Sequence, residues 1–208
     1  MKKFIKKMLA VALAGCMFCS VGALAACGGD NDGEGGGSGT GTEYTFEAEY
    51  TDLTGLEGMG PSGSPKGLDL ISESKEASND FFVGSLGEKS PITFKITSDK
   101  AVTATLKGIF GSNALSPITW EPKTFAIEVN GTAVTYSGFK TETTVSSTQN
   151  FKLRTIGDIS LKAGENTIVF KPKDNKYLNG TTSAPSIDCI KITADATLTF
   201  DAHEDNLD

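Results

Sequence analysis

The chain has 208 residues, with 19 basic and 26 acidic side chains and a formal net charge of −7. Residues 1–26 carry Lys2, Lys3, Lys6 and Lys7 and no acid, so the remaining 182 residues set 15 basic against 26 acidic side chains, net −11. A chain this acidic and this short, with its only long apolar run at the N-terminus, excludes nucleic-acid binding, electrostatic adhesion to anionic lipid, a polytopic membrane protein and a multidomain enzyme.

Residues 1–26, MKKFIKKMLAVALAGCMFCSVGALAA, place a basic segment before an apolar stretch closed by small residues. That is the layout of a secretory signal. The closing Leu24-Ala25-Ala26-Cys27, followed by Gly28, resembles a bacterial lipobox. The resemblance implies that Cys27 receives a lipid and anchors the exported chain to the extracellular face of a bacterial cell membrane. An uncleaved apolar anchor over residues 8–26 is the alternative reading, and either one exports and tethers the chain. Membrane attachment is then expected only through the N-terminal end.

Residues 27–42 follow as a tether. The tract GGDNDGEGGGSGTGT over 28–42 holds eight glycines and no large apolar side chain. It buries too little surface to offset the entropy of ordering, and its root-mean-square reach is about 20–25 Å. Cys16 and Cys19 depart with the signal and Cys27 takes the lipid, so Cys189 alone remains beyond the tether. No intramolecular disulfide is expected there, and Cys189, inside the apolar run SIDCIKI, reads as a buried inert thiol.

Beyond the tether the periodic stretches are strands. Residues 43–50, EYTFEAEY, alternate strictly, with Tyr44, Phe46, Ala48 and Tyr50 on one face and Glu47 and Glu49 on the other. Residues 51–79 are rich in Gly, Ser and Pro and read as loop, with a short apolar piece at 68–71. Strands are predicted at 81–86, 92–97 and 102–110. A loop over 111–123 carries Trp120. Phe125, Ile127 and Val129 alternate up to Asn130-Gly131, and Val134 and Tyr136 follow, the pattern of a β-hairpin. Two more strands, 151–161 and 166–170, flank the turn Lys162-Ala163-Gly164. A loop over 171–186, a strand over 187–193, a short one over 196–200 and an acidic tail over 201–208 complete the chain. Many short strands without a helix predict an all-β fold, a β-sandwich of the jelly-roll kind over residues 43–200.

Three of these stretches, in order, resemble carbohydrate-binding modules of families 6 and 35, which are galactose-binding-like jelly rolls. Phe46-Glu47-Ala48-Glu49 resembles the opening strand of those families. The run from Ile159 to Ile168, with Leu161, Gly164, Asn166 and Ile168 at L-x-x-G-x-N-x-I spacing, resembles a hairpin near their end. Ile187-Asp188-Cys189-Ile190 resembles their closing strand. The resemblance implies a structural calcium held by Glu47, Glu49 and Asp188. The chemistry agrees: calcium takes several hard oxygens, and residues two apart on a strand point to the same side. Without the resemblance, the two glutamates read as ordinary solvated strand residues.

The resemblance also implies a sugar site in loops at one end of the sandwich or on a sheet face. Aromatic rings stack on the apolar face of a pyranose while polar side chains pair its hydroxyls. The candidates are Trp120 and Tyr177, aromatics of the two longest late loops, with Asn175 and Asn179 flanking Tyr177. Core or loop packing is the alternative role for both rings. Where many family 6 modules carry an asparagine just before the closing strand, this chain has Ser186.

Catalysis finds little support. Glu47 and Glu49 are adjacent on one strand, whereas a glycosidase pair must flank a scissile bond across a cleft. The sole histidine, His203, lies in the acidic tail beside Asp201, Glu204 and Asp205, a poor place for a positioned base. The expected function is non-catalytic binding of polysaccharide or glycoconjugate at a bacterial surface, with any glycan-degrading enzyme a separate partner. The alternative is a structural or protein-binding surface module of the same fold without a sugar site.

Overall fold

β-Branched and aromatic residues at alternate positions build thirteen strands among the described residues. The structure, a computed structural model, describes residues 41–60, 63–114, 116–142, 149–175 and 184–207. The chain divides into two units, Met1–Gly36 and Gly37–Asp208, and all the described residues belong to the second. The predicted signal, Cys27, the tether as far as residue 40, Tyr177 and Asn179 lie outside the described residues.

The strands are β1 (Thr42–Glu47), β2 (Ile71–Glu73), β3 (Phe81–Val83), β4 (Ile92–Ser98), β5 (Val102–Gly111), β6 (Ile118–Trp120) and β7 (Phe125–Val129). They continue as β8 (Thr132–Ala133), β9 (Phe139–Thr141), β10 (Lys152–Leu161), β11 (Gly164–Pro172), β12 (Ser186–Ala194) and β13 (Leu198–Phe200). One sheet runs β10-β5-β12-β3-β2, with β1 also paired to β12. The second runs β13-β4-β11-β7-β8, and β6 and β9 form a small ribbon. Every pairing is antiparallel, in keeping with a sandwich whose sheets each turn one face inward.

The core is largely phenylalanine. On β4, Ile92, Phe94 and Ile96 point inward; on β5, Ala104, Leu106 and Phe110 do the same. Phe110 of the first sheet meets Phe125 and Phe170 of the second edge-on or tilted, with centroids 6.2 and 5.8 Å apart. Phe46 of β1 meets Phe200 of β13 at 5.3 Å. Each such ring removed from water contributes roughly 2–3 kcal/mol before ordering costs.

Local sequence explains the turns. Asn130 and Gly131 take φ of 51° and 77°, the two left-handed positions of a tight hairpin turn, and join β7 to β8 as predicted. Asn166 is buried and clamps the next hairpin. Its Oδ1 accepts from Lys162 N at 2.9 Å, and its Nδ2 donates to the carbonyls of Lys162 and Gly164, both at 2.9 Å. Asn130 Nδ2 also donates to Asn166 Oδ1 at 2.8 Å, so one side chain ties two turns together. That explains why an asparagine follows the turn glycine at this spacing.

Four expectations need correction. β1 begins at Thr42, paired with Ala194, so the last tether residue belongs to the sheet. The strand ends at Glu47, and residues Ala48–Tyr50 form one 3₁₀ turn rather than a continued strand. The loop over 111–123 contains β6, whose Ile118-Thr119-Trp120 alternates in, out, in and pairs with β9. The acidic tail carries its own 3₁₀ turn, Glu204–Leu207, and hydrogen-bonds back onto residues 49–51.

Candidate functional site

Glu47 and Asp188 meet because β1 pairs with β12. Glu47 stands opposite Cys189, next to Asp188, where β12 bulges between Ile187 and Ile190. The turn at 48–50 then swings Glu49 inward, and it has no exposed surface at all. Extended backbone at that point would have sent Glu49 out to solvent. Carboxylate oxygens of Glu47 and Asp188 and the sulfur of Cys189 all lie within 4.8 Å of one another.

The turn before β3 closes the group. Ser78 N donates to Asp188 Oδ1 at 2.9 Å. Ser78 Oγ lies 2.6 Å from Glu47 Oε2 and 2.9 Å from Asp188 Oδ1. A hydroxyl carries one hydrogen and cannot donate to both carboxylates at once. Asn79 Nδ2 donates to Glu49 Oε1 at 3.0 Å, while Glu49 Oε2 is buried and has no partner among the described residues. Ser78 and Asn79 carry little local mark of this role in the sequence. A cluster of turn formers, Ser78-Asn79-Asp80, was their only local sign, and Asp80 sits there at φ 62°.

The electrostatics follow from this crowding. Burial, opposed by the Ser78 hydroxyl and reinforced by Asp188, raises the Glu47 carboxyl above its usual range. Burial raises Asp188 as well, against the Ser78 donors. Glu49 is pushed up to about 7 by burial, with the charges of Glu47 and Asp188 adding to it. Burial and the same two carboxylates push the Cys189 thiol up to about 12, so it stays protonated and inert, as expected. Lys191 is the cation that eases Glu47 and Asp188, but it also pairs with Glu43 at 3.2 Å. Glu47 and Asp188 share the Ser78 donors and form a pair of hard oxygens that suits a divalent cation; Glu49 is not within the 4.8 Å group, and its orphaned Oε2 makes it the third oxygen donor nearby. A protonated thiol adds nothing to such a set.

The predicted sugar ligands fare differently. Trp120 has no exposed surface, and its Nε1 donates to Thr141 Oγ1 at 3.0 Å across the β6–β9 ribbon. The ring packs against Phe125, centroids 6.4 Å apart, so it cannot meet a ligand from solvent. Its expected binding role is corrected to core packing. Asn175 is exposed, and its Oδ1 accepts from Glu88 N at 2.8 Å, bracing the turn before β4. Tyr177 and Asn179 lie outside the described residues.

A second group of rings lies on the outer face of the first sheet. Phe82 of β3 meets Phe151, just before β10, edge-on at 5.3 Å. Phe151 lies over Gly111, where a Cβ would come within 2.8 Å of its ring. Gly84 similarly leaves room for Phe82 and faces Ser186 Oγ. Phe151 stays half-buried, and Leu153 on the same strand is 48% exposed opposite half-buried Ile109. Beside them Gln149 is buried, and its Oε1 has no hydrogen-bond partner among the described residues. No local pattern marks this cluster, because it is assembled from β3, the end of β5, the start of β10 and the start of β12.

Comparison with solved structures finds likenesses that span most of the chain, of which two are described. A family 35 carbohydrate-binding module from an environmental isolate superposes with a TM-score of 0.51 at 19% identity, covering 76% of this chain and 98% of the module. A family 35 module from Cellvibrio japonicus superposes with a TM-score of 0.51 at 13% identity, covering 76% of this chain and 97% of the module. The likeness establishes the fold, an all-β sandwich of the carbohydrate-binding-module type. No protein-family model and no curated protein matches the sequence.

Proposed function

We propose that this chain is an exported, lipid-anchored protein that binds carbohydrate without transforming it, on a sandwich braced by calcium. The observation that carries the reading is the ring cluster on the outer sheet face. Phe151, with Leu153 and Ile109 beside it, offers an apolar surface of the kind that takes the C–H face of a sugar ring. Gln149 Oε1 is a buried acceptor without a donor among the described residues, and a sugar hydroxyl is such a donor. The likeness in fold to carbohydrate-binding modules, over nearly their whole length, points the same way.

Calcium is the ion that the acidic group fits. Glu47, Glu49 and Asp188 would hold it, and its charge would compensate the burial that otherwise raises these carboxyls and favours their protonated forms. Ser78 and Asn79 would orient the carboxylates. The export signal, lipidated Cys27 and tether come from sequence pattern, and they would set the module out from a bacterial membrane.

Isothermal titration of the chain against plant and cell-wall glycans, with calcium present, tests the reading. At least one glycan is expected to bind, and Phe151→Ala should weaken it about tenfold, or about 1.4 kcal/mol. No binding by any glycan would leave the alternative, a structural or protein-binding surface module.

A further inference from the structure

Glu49 is buried in a 3₁₀ turn of only three residues, a structure with little stability of its own. Inside the turn, Thr51 N and Thr51 Oγ both donate to the Ala48 carbonyl, at 3.1 and 2.7 Å. The next three carbonyls are all taken by one distant segment. Asn206 Nδ2 donates to Glu49 O at 2.7 Å and to Thr51 O at 2.9 Å, and His203 N donates to Tyr50 O at 2.8 Å. An amide NH₂ has two hydrogens, so Asn206 fills both of its carbonyls at once. The contact joins residues 157 positions apart, and Asn206 N donates to His203 O at 3.2 Å to close its own turn.

We propose that residues 203–207 form a clamp that presets Glu49, and that Asn206 is thereby a positioning residue for a divalent cation held by Glu47, Glu49 and Asp188. The proposal rests on the calcium reading above. Its physical ground is that one oxygen of the buried Glu49 carboxylate has no hydrogen-bond donor of its own. Asn79 holds Oε1, but Oε2 has no partner among the described residues, so the backbone at Glu49 and just after it sets where that oxygen points. The clamp grips Glu49 O and the two carbonyls after it, while Ala48 O, before it, is held inside the turn by Thr51. Partners one step removed from a metal ligand set its orientation, and losing one costs about 10–100-fold in metal affinity. A segment that reads in the sequence as a solvated acidic tail then does its work through an amide and a backbone N–H.

The test is a calcium titration of the purified chain and of Asn206→Ala, with melting temperatures taken in calcium and in chelator. The expected result is a calcium dissociation constant raised about tenfold and a smaller calcium-induced rise in melting temperature. Asn206→Ser, which keeps one donor, should fall between the two and decides the matter if Asn206→Ala does not fold. A variant that melts lower by the same amount in calcium and in chelator, with an unchanged dissociation constant, would overturn the proposal and leave a merely structural strap. Absence of calcium binding by the unmutated chain would overturn the calcium reading itself, and is distinguishable because no variant is involved.

Discussion

Glu49 and Trp120 are both without exposed surface, and their burial has opposite meanings. Trp120 is an apolar ring with one polar atom, and the protein satisfies that atom through Thr141. Nothing is left over for a ligand. Glu49 is a carboxyl beside two others, and the protein leaves one of its oxygens without a hydrogen. Burial of a ring is its own explanation, because it removes apolar surface from water. Burial of charge is costly unless something compensates it, so the residue that breaks the rule is the one that points to function.

The largest effect that tests this contrast is at Trp120. Trp120→Ala should cost about 3–5 kcal/mol of stability, read by chemical denaturation. Glycan affinity per folded molecule should stay unchanged. Loss of glycan binding at unchanged stability would reverse the contrast and return the ring to the binding surface.

Next comes the pH dependence set by Glu49. Its carboxyl keeps its proton to about pH 7 in the folded chain and gives it up near 4.5 once unfolded. Between those values the folded state binds more protons, so stability of the calcium-free protein falls as pH rises, by on the order of 3 kcal/mol in all. The raised Glu47 and Asp188 act in the same direction. Calcium should remove the fall, because it binds the deprotonated set, and Glu49→Gln should flatten the calcium-free profile. Melting curves from pH 4.5 to 7.5, with calcium and with chelator, measure both. A calcium-free profile with no slope would put Glu49 on a par with Trp120, as a buried group already satisfied.

The smallest effect is at Asn175. Asn175→Ala removes the acceptor for Glu88 N and should cost about 1 kcal/mol, a fall of roughly 2–4 °C in melting temperature. Glycan affinity should hold. A weaker glycan at an unchanged melting temperature would restore Asn175 as a ligand and blur the line between bracing and binding residues.

Much of the fold was legible because strand alternation and turn chemistry are local. The hairpin at Asn130-Gly131 needs two adjacent residues at positive φ, and the sequence supplies the residues that tolerate it. The clamp at Asn166 lies two residues after Gly164, inside the run that resembles the family hairpin. β6 was missed because three alternating residues carry too weak a period, and its partner β9 comes only after the intervening hairpin. The acidic group was half legible. Glu47, Glu49 and Asp188 were singled out together, but the turn that buries Glu49 was not, since EYTFEAEY alternates without a break. Ser78 and Asn79 gave no sign of their role, because a turn former reads the same whether it faces water or carboxylates.

The amino-acid sequence by itself determined an all-β chain, the positions of most strands and the three carboxylates worth watching. The strands follow from period and propensity, which act between near neighbours, and the three carboxylates from the family resemblance. Only the tertiary structure decided that Trp120 turns inward, that Phe82 and Phe151 share a face, and that Asn206 reaches back to the carbonyls around Glu49. Each of these depends on which strands pair and on how the sheets close over one core, and no local pattern encodes a contact between segments so far apart along the chain.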